Sequence, residues 1–87
     1  MLYIERNPET VEAFLYLEDQ EPEWFIQIKE RIVFLQFGRE YIETVWGVSP
    51  LNRGEYVCRT PNGSSVWIES KAQFDQKYKP YVGENNV

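Results

Sequence analysis

At 87 residues the chain has room for one domain, because a chain this short buries only about 60–65% of its unfolded surface. Fourteen acidic residues against nine basic ones give a net charge of −5. That balance disfavours direct binding to a nucleic-acid backbone, which needs clustered Lys and Arg to displace counterions.

A single cysteine, Cys58, and no histidine exclude an internal disulfide and remove the usual zinc ligands, haem ligands and general base. No cofactor or metal is expected. No apolar run approaches the roughly 18–20 residues of a membrane span, and no basic stretch followed by an apolar one opens the sequence. The chain therefore reads as soluble, cytoplasmic and without a membrane partner. Its aromatic share of 16% is high. Such residues give a small domain a large buried area, or supply a binding surface.

Leu2–Glu5 and Val11–Tyr16 are rich in β-branched and aromatic residues and read as extended, with a turn or irregularity at Pro8. Pro22 and the acidic residues around it mark a helix start. Trp24, Phe25, Ile28 and Ile32 then recur at helical spacing, predicting a short amphipathic helix over Pro22 to Glu30. Ile32 to Phe37 is apolar at nearly every position, as in a strand buried on both faces. Gly38-Arg39 turns the chain into an antiparallel partner over Glu40 to Trp46. Gly47, Pro50 and Asn52-Arg53-Gly54 mark a loop.

Thr60-Pro61-Asn62-Gly63 fits a type I turn closed by a left-handed glycine bulge. With that three-residue loop, Cys58 faces Val66 and Tyr56 faces Ile68 on one apolar face. Trp67 then lies on the other face, opposite Val57 and diagonal to Arg59, within reach of a cation–π contact. Ser70 and Gln73 form a capping box for a last short helix, which docks through Phe74 and Tyr78 and stops at Pro80. The expected fold is α+β: one mostly antiparallel sheet of about five strands with two short helices, in a single domain over 1–80. Residues 81–87 are expected to form a flexible tail.

These motifs recur in a known order: Val-Glu-Ala-Phe (Val11 to Phe14), Pro-Glu-Trp-Phe (Pro22 to Phe25), Tyr-Ile-Glu-Thr (Tyr41 to Thr44), Asn-x-Gly-acid-Tyr-Val (Asn52 to Val57) and Phe-x-x-x-Tyr (Phe74 to Tyr78). Together they resemble the small phage and prophage proteins with a Pro-Gly-Asp-Tyr-Gly-like signature. This chain carries Arg53 and Glu55 where that family has Pro and Asp, and Leu15-Tyr16 where a polar residue and Trp are common. The resemblance implies a phage origin and a small accessory protein that acts by binding, as host-takeover and counter-defence factors do.

The residues themselves offer no activated nucleophile, and Glu40 and Glu43 point to opposite faces of one strand, so no enzyme activity is expected. Trp67, Arg59 and Arg53, with Trp46 and Arg39, form a candidate aromatic-plus-cation patch on which a base stacks and a phosphate pairs. Val33, Leu35 and Phe37 form a candidate oligomer interface, because one short helix covers only one face of their strand. The function expected is a stoichiometric phage-type inhibitor. It sequesters a host nucleotide immune signal or occludes a host defence protein such as a CRISPR effector. The alternative is an accessory protein whose surfaces only mediate assembly.

Overall fold

The computed structural model describes residues 2–5 and 10–80. In chain order they form β1 (Leu2–Glu5), β2 (Thr10–Leu15), α1 (Glu23–Ile32), β3 (Val33–Gln36), β4 (Arg39–Thr44), β5 (Gly47–Pro50), β6 (Tyr56–Arg59), β7 (Val66–Glu69), α2 (Lys71–Lys77) and β8 (Tyr78–Pro80). The class is α+β, but the strands divide into two antiparallel sheets rather than one. The larger has the order β7-β6-β2-β1-β8 and the smaller the order β3-β4-β5. The turn expected at Pro8 and the tail expected over 81–87 lie outside the described residues.

The strands β7, β6 and β2 form the middle layer of the molecule, and their pleat sorts residues between two cores. One face presents Val11, Ala13, Tyr56, Cys58 and Trp67 to Phe74 and Tyr78 at α2 and its end. The rings of Tyr56 and Phe74 stack there, with centroids 3.9 Å apart. The opposite face presents Phe14, Val57, Val66 and Ile68 to Trp24 and Phe25 of α1, to Ile42 of β4 and to Leu51. Phe25, Phe74, Ile42, Val57 and Cys58 are completely enclosed. Each large apolar side chain buried to that degree contributes roughly 1.5–3 kcal/mol.

The helices form where their sequences place them. Pro22 is the extended N-cap of α1, Glu23 lies in its first turn, and Lys29 and Arg31 lie in its last. The helix runs two residues beyond Glu30 and passes into β3 without a loop, the Val33 N–H closing on the Lys29 carbonyl. Ser70 caps α2 by accepting the Gln73 N–H at 3.2 Å. That helix ends at Lys77, before Pro80, because the chain at Tyr78 turns extended and pairs with β1.

The second sheet differs from expectation at both ends of β4. Its first turn is Phe37-Gly38, both at positive φ (54° and 74°), which leaves Arg39 inside the strand. Its second turn is Val45-Trp46, closed by the Thr44 side chain: the Thr44 hydroxyl donates to the Gly47 carbonyl at 2.7 Å and accepts the Trp46 N–H at 3.1 Å. Residues 47–50 are consequently a third strand, not a loop. The Val45 N–H donates to the Val66 carbonyl at 3.0 Å, tying this turn to the edge of the large sheet.

The β6–β7 hairpin corrects the expected register by one residue. Arg59 pairs with Val66, Cys58 with Trp67 and Val57 with Ile68. The loop holds four residues, Pro61 to Ser64, because side chains stabilise the extra one. The Asn62 carboxamide oxygen accepts the Ser64 N–H at 3.0 Å, and the Thr60 hydroxyl oxygen accepts the Ser65 N–H at 3.2 Å. A shift of one residue sends every side chain of a strand to the opposite face. Trp67 is therefore buried, and it shares a face with Cys58 rather than with Arg59.

Candidate functional site

The residues expected to form one aromatic-plus-cation patch separate into three places. Arg59 stays on the α1 side of the sheet. It forms an ion pair with Glu12, its near neighbour across the β2–β6 ladder, and its guanidinium lies 4.8 Å from the centre of the Trp24 ring. The indole N–H of Trp24 is itself buried without a hydrogen-bond partner. Arg53 stands exposed on the Arg53-Gly54 turn, its Nε 3.9 Å from a Glu18 carboxylate oxygen. Gly54, at φ 84°, donates its N–H to the Tyr16 carbonyl in that turn. Arg39 is also exposed and donates to the Asn52 side chain at 3.4 Å. The predicted cation–π pair between Arg59 and Trp67 is thus replaced by one between Arg59 and Trp24.

Trp67 and Trp46 do come together. Their rings meet edge to face with centroids 6.3 Å apart, and they line a cleft of about 260 Å³ with Val45, Thr60, Ser65, Glu69, Lys77 and Tyr78. Trp46 is 77% exposed on the lip, whereas Trp67 is 8% exposed in the wall. Glu69, on the same face of β7 as Trp67, is also only 8% exposed. Its carboxylate accepts the Trp67 indole N–H at 2.9 Å and the Lys77 ammonium at 3.3 Å. The Lys77 ammonium lies 5.6 Å from the Tyr78 ring centre. A second cleft, of about 380 Å³, lies against Thr10, Val11 and Pro61 and shares Thr60, Trp67 and Tyr78 with the first.

Sequence reasoning missed Glu69, Lys77 and Tyr78 as parts of this cleft. Two signals for them exist in the sequence. Glu69 alternates with Trp67 along one strand, and Lys77-Tyr78 ends the capped helix that returns over it.

Two titratable groups in the cores are shifted upward. Burial, aided by the nearby Glu69 carboxylate, pushes the Cys58 thiol well above its ordinary range, so it stays protonated. Burial and a 2.7 Å hydrogen bond to Glu40 likewise raise the Tyr16 phenol. Tyr16 and Glu40 belong to a cleft of about 240 Å³ beside α1, where Glu21 is paired with Lys29 at 2.9 Å. No group of three or more His, Cys, Asp or Glu side chains is placed to hold a metal among the described residues. No helix among them is long and apolar enough to cross a membrane.

The most conspicuous surface is apolar. Among the described residues eight large apolar side chains are exposed, and six of them, Phe34, Leu35, Phe37, Val45, Trp46 and Val48, belong to the small sheet and its turns. Phe34 stacks on Tyr41 across the β3–β4 ladder, with centroids 5.8 Å apart. Leu35 is 70% exposed and Phe37 95% exposed at the end of the hairpin. No protein family model, curated protein or solved structure matches the chain at a significant level.

Proposed function

We propose that the chain is a phage-type counter-defence protein that acts in the host cytoplasm by binding, and that it occludes a host defence protein such as a CRISPR effector. One observation carries this reading: the concentration of exposed apolar side chains on the small sheet between Phe34 and Val48. The register sets Phe34 and Val48 on one face of that sheet and Leu35 on the other, and exposed apolar area on a small sheet marks it as a protein-contact element. The phage assignment rests on the order of motifs along the sequence. Of the two targets that the sequence suggests, a nucleotide signal lacks support from the cleft. Neither Arg59 nor Arg53 lines it, and Glu69 inside it repels phosphate.

The test is a phage challenge of bacteria carrying an active CRISPR system that targets the phage. Expression of the chain is expected to restore plaquing. Leu35→Glu and Val48→Glu, expressed at the wild-type level, are expected to abolish the rescue. Plaquing that stays suppressed with the wild-type chain, across the CRISPR types tested, would overturn the assignment.

Self-association is a second use of this surface, favoured by β3 itself. Edge strands are normally guarded by charge, proline or a covering element. The β5 edge ends in Pro50, and the β7 edge is tied to Val45. The β3 edge consists of Val33, Phe34, Leu35 and Gln36, with no charge and no proline. Solution mass decides this reading: Leu35→Glu lowers the mass of an oligomer that uses Val33, Leu35 and Phe37, and leaves a monomer unchanged.

A further inference from the structure

The cleft beside Trp46 already holds a cation, and that cation is loosely held. The Glu69 carboxylate is nearly enclosed, and a buried carboxylate is costly unless a positive group stays close. Lys77 supplies that group at 3.3 Å, longer than the 2.7–2.9 Å typical of a charge-assisted N–H···O bond. The Lys77 side chain is also half exposed, at 49%, against 8% for Glu69. It arrives from the last turn of α2, at the margin of the cleft.

Around the carboxylate stand aromatic rings. Trp67 is fixed by its own hydrogen bond to Glu69, Tyr78 is buried beside it, and Trp46 leaves most of its surface open at the lip. Aromatic faces around a carboxylate attract an ammonium through their quadrupoles. A partner's cation also approaches a chain whose net charge is −5. Phosphate and carboxylate ligands meet Glu69 instead.

We propose that this cleft is a recognition site for a basic side chain of the partner protein, a lysine whose ammonium replaces Lys77 on Glu69 while its stem lies along Trp46. The inference rests on the binding role proposed above and gives it chemistry, since Val45 and Trp46 belong both to the apolar surface and to the cleft. The exchange is one ammonium for another, so no bond is made or broken.

The test uses the purified chain and an acetylated, amidated Gly-Lys-Gly peptide, with the same peptide carrying norleucine as the uncharged control. Binding is followed by the NMR shifts of the Trp46 and Trp67 indole N–H groups. The lysine peptide is expected to shift both signals saturably, and the norleucine peptide to shift neither. Lys77→Gln removes the internal competitor and is expected to tighten binding about fivefold, while Trp46→Ala weakens it about fivefold. Equal shifts from both peptides, no saturable shift in either the wild-type chain or Lys77→Gln, or an affinity that Lys77→Gln leaves unchanged would each overturn the proposal. The titration contains no target protein. A failed cleft therefore leaves the plaque result standing, and a failed plaque assay leaves the cleft result standing.

Discussion

Trp67 and Glu69, two positions apart on one strand, are joined by a 2.9 Å hydrogen bond from the indole N–H to a nearly buried carboxylate. The same carboxylate also accepts from Lys77 at the end of α2, at 3.3 Å. The pair turns a residue that the sequence places on the surface into part of the core.

That placement has a measurable cost. Trp67→Ala removes a buried ring that packs in the core cluster with Cys58 and Tyr78. It is expected to destabilise the fold by about 3–5 kcal/mol, as large aromatic truncations in cores do. Urea unfolding of the variant reads this directly. A change within about 0.5 kcal/mol, typical of surface substitutions, would return Trp67 to the outside of the hairpin.

Alkaline stability follows from the two raised acids. Cys58 has a folded pKa above its ordinary value of 9.0, and Tyr16 one above its ordinary value of 10.0. Each stays protonated in the fold after it has ionised in the unfolded chain, so the unfolded state binds fewer protons and stability falls as pH rises. The contribution is complete below pH 9 and declines above it by ~1.4 kcal/mol per pH unit for one group. Tyr16 adds its own decline above pH 10. Cys58→Ala is expected to move the onset from about pH 9 to about pH 10, read from urea midpoints between pH 8 and 11.

Phe37 carries backbone strain as well as an exposed ring. Its φ of 54° is left-handed, which costs a non-glycine residue roughly 1–2 kcal/mol, and nothing around a 95% exposed side chain offsets that cost. Phe37→Asn is expected to stabilise the protein by about 0.5–1 kcal/mol, since Asn tolerates this conformation. The same variant is expected to lose target binding. A higher melting temperature together with weaker rescue of plaquing would identify Phe37 as a contact residue kept at the expense of stability.

Arg59 belongs to the scaffold on this geometry. Arg59→Ala removes the Glu12 pair and the Trp24 contact, both only partly exposed, and is expected to cost about 1–2 kcal/mol. It is expected to leave binding of the lysine peptide unchanged. A double-mutant cycle with Glu12→Ala should return a positive coupling energy; zero coupling would mean that the pair is incidental.

Local signals in this sequence were legible where one residue decides one contact. Ser70 with Gln73, Pro22 before an acidic turn, and the helical spacing of Trp24, Phe25 and Ile32 each lead to the element observed. Apolar Ile32 to Phe37 misleads instead: Ile32 ends α1, Phe37 lies in a turn, and the strand between them is a largely exposed edge rather than one buried on both faces. Register was not legible, because β6 is apolar on both faces: Tyr56 and Cys58 fill one core and Val57 the other. Either assignment of β7 satisfies such a strand. The deciding atoms are the side-chain oxygens of Asn62 and Thr60, which hold one more residue in the loop than a glycine-bulge turn would. The division into two sheets was hidden for a similar reason. Thr44 closes a tight turn through its hydroxyl, a role that nothing in the spacing of Gly47 and Pro50 announces.

The four-residue loop from Pro61 to Ser64 qualifies the usual expectation for surface loops, which tolerate insertion and deletion well. Losing Ser64 leaves both cores intact if the turn closes with three residues and Thr60 stays opposite Ser65. A turn that kept four residues by taking in Ser65 would pair Arg59 with Trp67 and drive Glu69 into the company of Phe14 and Val57, with Ile68 sent to the Lys77 side. Evolutionary change in loop length is therefore harmless where the turn absorbs it, and exchanges the two cores where one residue passes between turn and strand.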